Sequence, residues 1–140
     1  MPANTSPALM ASNTPDVPAP HARWYSHAVA IDLAETTLLH LAGQMALDED
    51  GSVSGGMREQ AERVFDLLLR TLEHHACSFD DVVCIRTYIT DLAQVSDYAA
   101  VRARYITGTP PASTTVEVAR LVNPSALVEV EIVAMAGKAA

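Results

Sequence analysis

Two glutamates near the C-terminus are spaced so that both carboxylates lie on one face of a predicted strand. Apolar and polar residues alternate over residues 127–136, which indicates a strand with one face on a core. Glu129 and Glu131 would share the face that points away from the core. The core-facing residues would be Val128, Val130 and Ile132. A carboxylate in a partly apolar pocket has a raised pKa and can transfer protons, so this strand is a candidate for acid–base chemistry.

The histidines and cysteines show no spacing typical of a metal site. His74 and His75 are adjacent in a predicted helix, so their side chains diverge and cannot bind one ion from one face. The remaining histidines lack a cysteine or carboxylate at ligand spacing and are His21, His27 and His40. His27 or His40 can still serve as an acid or base. The two cysteines, Cys77 and Cys84, are expected to be reduced, small apolar residues. We therefore expect no metal.

The acidic composition excludes a class of partners. The chain of 140 residues has a net charge of −8 and only nine Lys and Arg, without a basic run. A nucleic-acid-binding protein normally presents a basic patch, so RNA and DNA are not expected partners. No apolar stretch reaches the length of a membrane span, and the pattern of a secretory signal is absent. These features predict a soluble cytoplasmic protein with no membrane partner.

The length fits one domain that follows a tail. Residues 1–20 contain five prolines and a single charged side chain, Asp16, with no periodicity. This composition predicts a flexible N-terminal tail over residues 1–20. The folded domain is expected over residues 21–138.

Hydrophobic periodicity predicts five strands and two helices in that domain. Strands are expected over residues 22–31, 37–46 and 82–90, and two more over residues 110–136. A long helix is expected after Gly56, with an apolar stripe formed by Met57, Ala61, Val64, Phe65, Leu68 and Leu72. A shorter helix is expected over residues 97–106, with Ser96 as its N-cap and Gly108 after its end. Helices packed on one face of a single sheet would bury these stripes.

Four blocks of sequence together resemble the Rid family of reactive intermediate deaminases, also called YjgF-like proteins. They are residues 24–29 (WYSHAV), 41–44 (LAGQ), 86–91 (RTYITD) and 110–136. The resemblance implies a chorismate-mutase-like α+β fold with a mixed sheet and two helices on one face. It also implies a homotrimer with small-metabolite pockets between neighbouring subunits. Deaminating members hydrolyse enamines and imines to carbonyl compounds and ammonia, and they need no metal or organic cofactor.

The resemblance also implies roles for individual residues. Glu131 matches the glutamate that positions or activates water, whereas Glu129 is expected to be an interface or ion-pair residue. Tyr25 matches an aromatic residue that reaches a neighbour's pocket. Gly43 matches a glycine whose backbone lines the pocket. Thr115 matches a position whose backbone N–H holds a substrate carboxylate, and an ordinary strand residue is the alternative.

The chain departs from the family pattern where a carboxylate would be bound. Deaminating members have an arginine after the Pro-Ala of this segment, whereas Ala112 is followed by Ser113. A hydroxyl offers one neutral hydrogen bond, so it binds a carboxylate more weakly than a guanidinium does. Arg102, at a position often held by asparagine, is a candidate for a relocated anion contact. The alternative is a solvated arginine whose stem packs over the helix.

Three functions remain open from the sequence. The first is a Rid-type enzyme that acts on a small reactive enamine, imine or enol other than a standard 2-imino acid. The second is a 2-imino acid deaminase in which Arg102 replaces the missing arginine. The third is a trimeric protein that binds a small metabolite without catalysis.

Overall fold

Six strands and two helices form the fold of the computed structural model, which describes residues 8–137. The strands are β1 (Leu9–Ser12), β2 (Ala28–Asp32), β3 (Thr36–Gln44), β4 (Val82–Ile89), β5 (Ala112–Glu117) and β6 (Val128–Gly137). The helices are α1 (Met57–His74), between β3 and β4, and α2 (Val95–Tyr105), between β4 and β5. The predicted α+β class is confirmed.

The strands form one mixed sheet in the order β1-β2-β3-β6-β4-β5. All neighbours are antiparallel except β4 and β5, which are parallel. Parallel strands need a long crossover connection, and α2 provides it. Because β4 lies between β5 and β6, the two strands predicted over residues 110–136 do not pair with each other.

Helix α1 covers one face of the sheet and has the predicted apolar stripe. Five of the six residues predicted for this stripe have at most 2% exposed surface: Ala61, Val64, Phe65, Leu68 and Leu72. Burying one Leu or Phe side chain contributes ~1.5–3 kcal/mol, so this stripe holds the helix against the sheet. Phe65 also stacks on Tyr98 of α2 with ring centroids 5.9 Å apart. The two helices therefore share one core with the sheet.

The opposite face of the sheet is not covered by residues 8–137. Along β6, Val128, Val130 and Ile132 have 1% exposed surface or less. Glu129 and Glu131 alternate with them and are only partly buried, so the predicted division of the two faces is confirmed. Apolar side chains also lie on this open face, since Met135 is 42% and Val116 is 40% exposed.

The folded domain begins earlier than His21. Strand β1 pairs with β2 along its whole length, from Leu9 opposite Ile31 to Ser12 opposite Ala28. Buried His27 also holds the segment after β1, because its Nδ1 accepts a 2.9 Å hydrogen bond from the Thr14 N–H. The prediction of a flexible tail is therefore wrong for residues 9–18. The proline-rich composition of the first 20 residues does not indicate a strand, but β1 pairs with β2 at the edge of the sheet. Residues 1–7 and 138–140 lie outside the described part of the chain.

Two predicted boundaries also shift. Strand β2 starts at Ala28 and not at residue 22, because residues 21–23 form a short 3-10 turn in which Ala22 and Arg23 have positive φ. Helix α2 starts at Val95, so Ser96 lies inside it and is not its N-cap. The Asp91 side chain instead caps the 3-10 turn before α2, where it accepts from the Ala93 N–H. Within residues 8–137, no helix has the length and hydropathy needed to cross a bilayer.

Candidate functional site

The open face of the sheet carries a cluster of ionisable side chains, which we call the acidic face: Glu129, Glu131, Tyr88, Arg86 and Tyr25. Strand register places Tyr88 opposite Glu129 and Arg86 opposite Glu131, because β4 and β6 are antiparallel neighbours. Side chains that are paired in this way and share a face lie close together. The alternation of β4 and β6 therefore assembles four of the five members of the cluster.

Glu131 is held by its neighbours on β4. The Tyr88 hydroxyl donates a 2.5 Å hydrogen bond to Oε1 of Glu131. The Arg86 guanidinium lies 3.9 Å from the same oxygen. Glu131 thus has a fixed orientation and a nearby positive charge. The hydrogen bond is also the main reason that the pKa of Tyr88 is raised, since ionised Tyr88 could not donate it.

Glu129 lies over the backbone of Gly43 and has a raised pKa. A Cβ atom at position 43 would collide with the Glu129 carboxylate, so glycine at this position lets that carboxylate lie against the backbone of β3. Burial raises the pKa of Glu129 most, and the charge of Glu131 raises it further. Tyr25 lies close enough to Glu129 for that charge to act on its hydroxyl. Burial raises the pKa of Tyr25 most, and the charge of Glu129 raises it further. Among residues 8–137 no side chain donates a hydrogen bond or ion pair to Glu129.

The two carboxylates therefore have different environments on the same face. Glu129 takes up a proton more readily than an ordinary glutamate, whereas Glu131 accepts a hydrogen bond from Tyr88 and lies near the Arg86 guanidinium. Two neighbouring carboxyl groups in different environments can divide the roles of general acid and general base. The arrangement can donate one proton and accept another.

A second feature, which we call the α2 groove, lies on the helix-covered side of the sheet at the edge formed by β5. It has a volume of about 360 Å³, and the residues that line it include Val95, Ala99, Arg102, Ile106, Pro110 and Thr115. Arg102 donates a 2.9 Å hydrogen bond from Nη1 to Oγ of Ser113. Ser113 and Thr115 pair in register with Ile85 and Thr87, which are fully buried on the helix side.

The structure separates the predicted site residues into two groups. Tyr25, Gly43 and Glu131 belong to the acidic face. Arg102 and Thr115 line the α2 groove on the other side of the sheet, and Ser113 accepts a hydrogen bond from Arg102 there. Within one chain, Arg102 therefore cannot contact a substrate that is bound at Glu131.

Sequence reasoning missed Tyr88 and Arg86 as members of the cluster. Their alternation in β4 could place them on one face, but only the register of β4 against β6 shows that this is the face of Glu131. Glu129 was expected at an interface or in an ion pair, and it has no ion pair with the described residues. His27 was a candidate acid or base, but both of its ring nitrogens are engaged, by the Thr14 N–H and the Pro18 carbonyl.

No set of three or more potential metal ligands clusters anywhere within residues 8–137. His40 lies on β3, opposite Val133 of β6, and its side chain is exposed on the open face. Gln44 is buried and donates to the Met45 carbonyl at 2.8 Å, which is a structural role.

The chain is similar to proteins of one widespread family. It matches the family model Endoribonuclease L-PSP over residues 14–136. Protein DfrA of Myxococcus xanthus is 37% identical over 113 residues, which cover 79% of this chain and 84% of that protein. A RutC family protein of Pyrococcus abyssi is 33% identical over 112 residues, with the same coverage of 79% and 84%.

A solved structure extends the similarity to the fold. The Rid family protein YyfA of Yersinia pestis has a TM-score of 0.79 and 28% identity, and the alignment covers 94% of this chain and all of that one. The match to the family model includes both the acidic face and the α2 groove, since these lie between residues 25 and 131. The chain therefore belongs to the Endoribonuclease L-PSP family, which is the YjgF/RidA/RutC family.

Proposed function

We propose that the protein hydrolyses a small reactive imine or enamine to a carbonyl compound and ammonia, with the acidic face as its acid–base centre. The observation that carries this proposal is the pair of carboxylates in different environments, of which Glu129 lies over Gly43 and Glu131 beside Tyr88 and Arg86. Glu129 has a raised pKa and lacks a partner among the described residues, and Glu131 is oriented by Tyr88. Imine hydrolysis needs one group that protonates nitrogen and one that accepts a proton from water.

The reaction assigns a different task to each carboxyl group. Protonated Glu129 gives its proton to the imine nitrogen, which makes the carbon electrophilic. Glu131 accepts a proton from a water molecule as that water adds to the carbon. Glu131 then passes the proton that it took from water to the amine nitrogen. The C–N bond breaks with its electron pair going to nitrogen, ammonia leaves, and the hydroxyl proton moves to Glu129 as the carbonyl forms. An enamine enters the same sequence after it is protonated at carbon, and the balance is one water consumed for each ammonia released.

A homotrimer would bring the two halves of the site together. One chain places the acidic face and the α2 groove on opposite sides of its sheet, so a site that uses both needs a second copy. The open face of the sheet also has exposed apolar side chains, such as Met135 and Val116, which association would bury. In this arrangement backbone groups near Gly43 of one subunit and Thr115 of its neighbour orient the substrate.

The family name includes an endoribonuclease, but the charges of this chain oppose RNA binding. The net charge is −8, and the candidate site carries two carboxylates beside one arginine, Arg86. Polyanionic RNA binds where basic side chains neutralise its phosphates. The acidic face therefore fits a small neutral or cationic reactive group better than a phosphate backbone.

The test supplies an imine generated in situ and follows the release of carbonyl compound and ammonia. We expect Glu131→Gln and Glu129→Gln each to lower kcat/KM by ~10²–10⁴-fold, the usual contribution of an acid or base. Glu73→Gln, at an exposed position on α1, is the matched control and keeps the wild-type rate.

Three results would separate the functions left open by the sequence. Wild-type activity that survives both glutamine substitutions contradicts the acid–base assignment. Activity towards a 2-imino acid that appears only in Ser113→Arg shows a competent site with a different native substrate. Inactivity of every variant towards all imines and enamines tested contradicts the proposed reaction and favours a binding protein.

A further inference from the structure

The chain has one tryptophan, Trp24, and its side chain is exposed beside the acidic face. It is 76% exposed, although aromatic side chains of this size usually bury most of their surface. The next residue, Tyr25, lies close enough to Glu129 for that charge to act on its hydroxyl. Because consecutive Cα atoms are ~3.8 Å apart, the indole starts at the edge of the same face. Trp24 is therefore a large apolar surface that residues 8–137 leave mostly uncovered and that the proposed reaction does not use.

The backbone before Trp24 is strained and closed into a turn. Residues 21–23 form a 3-10 turn, and the Trp24 N–H donates a 3.0 Å hydrogen bond to the His21 carbonyl. Inside the turn, Ala22 and Arg23 have φ angles of 49° and 60°, a region that residues with a side chain rarely adopt. Such strain persists where the surrounding structure fixes it, and it is concentrated at binding and catalytic sites. The turn therefore holds Trp24 in a defined place.

The His21 ring fixes the orientation of the indole. The two ring centroids are 5.1 Å apart and the ring planes are nearly perpendicular, at 87°, which is a favourable edge-to-face arrangement. One such contact covers at most one face of the indole, in agreement with its high exposure. An aromatic surface that is held in advance loses little freedom when a ligand packs against it. The pair of His21 and Trp24 is therefore suited to bind a flat apolar group.

The groups beside Trp24 favour a ligand that also has a basic nitrogen. Among residues 8–137 no side chain donates to the Glu129 carboxylate, so that group is available to a nitrogen. The net charge of −8 attracts cations to the protein as a whole. A ligand that uses both features has its nitrogen at Glu129 and a planar, unsaturated group against the indole, because planar groups stack on aromatic rings.

We infer that Trp24 is a specificity residue that packs against an aromatic or conjugated side chain of the imine whose nitrogen lies at Glu129, and that His21 positions the indole. The inference rests on the proposed function for the place of the nitrogen, and it adds the substrate class. Binding of an amine that cannot be hydrolysed is measured without turnover, so the two proposals can fail separately.

Fluorescence tests whether ligands reach Trp24, since the emission of the single tryptophan reports on this residue alone. Benzylamine is the probe, because it has a planar ring and an ammonium group and cannot be hydrolysed. We expect acrylamide to quench the free protein readily, and benzylamine to shift the emission to shorter wavelength and to protect it from acrylamide. Benzyl alcohol, which lacks the charge, and ethylamine, which lacks the ring, should bind about 10-fold more weakly or less. An indole that is already shielded from acrylamide without ligand overturns the inference, because a second copy of the chain then covers it.

Calorimetry on variants tests the roles of the two rings. Trp24→Ala should weaken benzylamine binding about 10-fold and leave ethylamine binding unchanged, whereas Trp24→Phe should keep most of the affinity. His21→Ala should weaken benzylamine binding severalfold, and His21→Phe should restore it. The matched control is Leu33→Ala, an exposed apolar residue at the other end of β2, which should bind as the wild type does.

The mass of the assembly in solution completes the test. Trp24→Ala should have the same mass as the wild type, and a smaller assembly would assign Trp24 to a subunit contact and overturn the inference. A Trp24→Ala protein that binds benzylamine as tightly as the wild type overturns it too. Binding of benzylamine through Trp24 by a protein that hydrolyses no imine supports the binding role and contradicts only the proposed reaction.

Discussion

Gln60 is a buried amide whose replacement gives the sharpest test of how the fold holds β6. Its surface is 1% exposed, and its side chain joins three segments. Nε2 donates to the carbonyls of Gly55 and Ser125 at 2.9 and 3.0 Å. Oε1 accepts from the Leu127 N–H at 2.8 Å. Gln60 therefore fastens the chain just before Val128, where the strand that carries both glutamates begins.

Gln60→Glu keeps the shape and the acceptor but turns the two donors into a buried carboxylate that faces two carbonyls. The two lost hydrogen bonds lower the free energy of unfolding by ~1–3 kcal/mol together. The uncompensated buried charge lowers it further, so we expect the free energy of unfolding to fall by ~3–5 kcal/mol at pH 7. For a domain of this size that loss corresponds to a fall in Tm of ~10 °C or more.

The pH dependence of the loss checks its cause. Burial would raise the pKa of the introduced carboxyl in the folded variant above its value in the unfolded chain, ~4.3. The variant therefore has its highest free energy of unfolding at low pH, where the carboxyl is protonated and can donate a hydrogen bond. This free energy falls as pH rises towards and through the raised pKa. The difference in Tm between Gln60→Glu and the wild type should therefore become smaller towards pH 4.

The assay is thermal unfolding by circular dichroism at one protein concentration, since association with further copies would raise Tm. Gln94→Glu is the control, because Gln94 makes no capping hydrogen bond at the start of α2 and a negative charge there is favourable. A Gln60→Glu variant that unfolds at the wild-type temperature at pH 7 would refute the role of these three bonds.

Three predictions concern the acidic face. Gly43→Ala displaces Glu129 and should lower kcat/KM for the imine at least tenfold, and a wild-type rate would contradict the close approach of the two residues. Tyr88→Phe removes the hydrogen bond that orients Glu131 and should lower kcat/KM for the imine at least tenfold, whereas a wild-type rate would contradict that orienting role. Glu129→Gln should raise Tm relative to the wild type at pH 7.5, and raise it less at pH 4.5. Because the pKa of Glu129 is raised in the folded protein, its ionisation lowers the free energy of unfolding as pH rises. A variant that unfolds at a lower temperature than the wild type at pH 7.5 would contradict this reasoning.

Much of the fold follows from periodicity within single segments. The apolar stripe of α1 and the alternation of β6 can be predicted because each depends on one element and one buried face. The N-terminal strand could not be predicted in this way. β1 is four residues long with three exposed residues, so its pairing with β2, and not its own pattern, makes it a strand.

The candidate site shows the same limit more clearly. The sequence predicts that Glu129 and Glu131 share a face, but their difference arises from Gly43, Tyr88 and Arg86 on two other strands. Which residues face one another depends on register and strand order, and neither can be read from a single strand. The contact between Arg102 and Ser113 likewise depends on α2, which connects β4 to the parallel edge strand β5 and lies beside that strand.

The separation of the two halves of the site leads to a test of where catalysis occurs. Glu131 lies on one side of the sheet and Arg102 on the other. If the working site joins the acidic face of one subunit to the α2 groove of the next, Glu131→Gln and Arg102→Gln each damage every site in their own homotrimers. Mixed trimers differ, since an Arg102→Gln subunit can supply an intact acidic face to the intact groove of a Glu131→Gln neighbour.

Random assembly of the two variants in equal amounts makes about a quarter of the pockets fully wild type, because each pocket draws one half from each of two neighbouring subunits. In every mixed trimer one of the three pockets is fully wild type. Co-expressed variants that carry different tags, purified in sequence to isolate mixed trimers, should therefore recover about a third of the wild-type imine hydrolysis rate. Homotrimers of each variant that are purified separately and mixed without exchange are the control and should stay inactive. Mixed trimers that stay as inactive as the homotrimers would contradict a site shared between neighbouring subunits. An Arg102→Gln homotrimer that keeps the wild-type rate would show that Arg102 takes no part in the reaction.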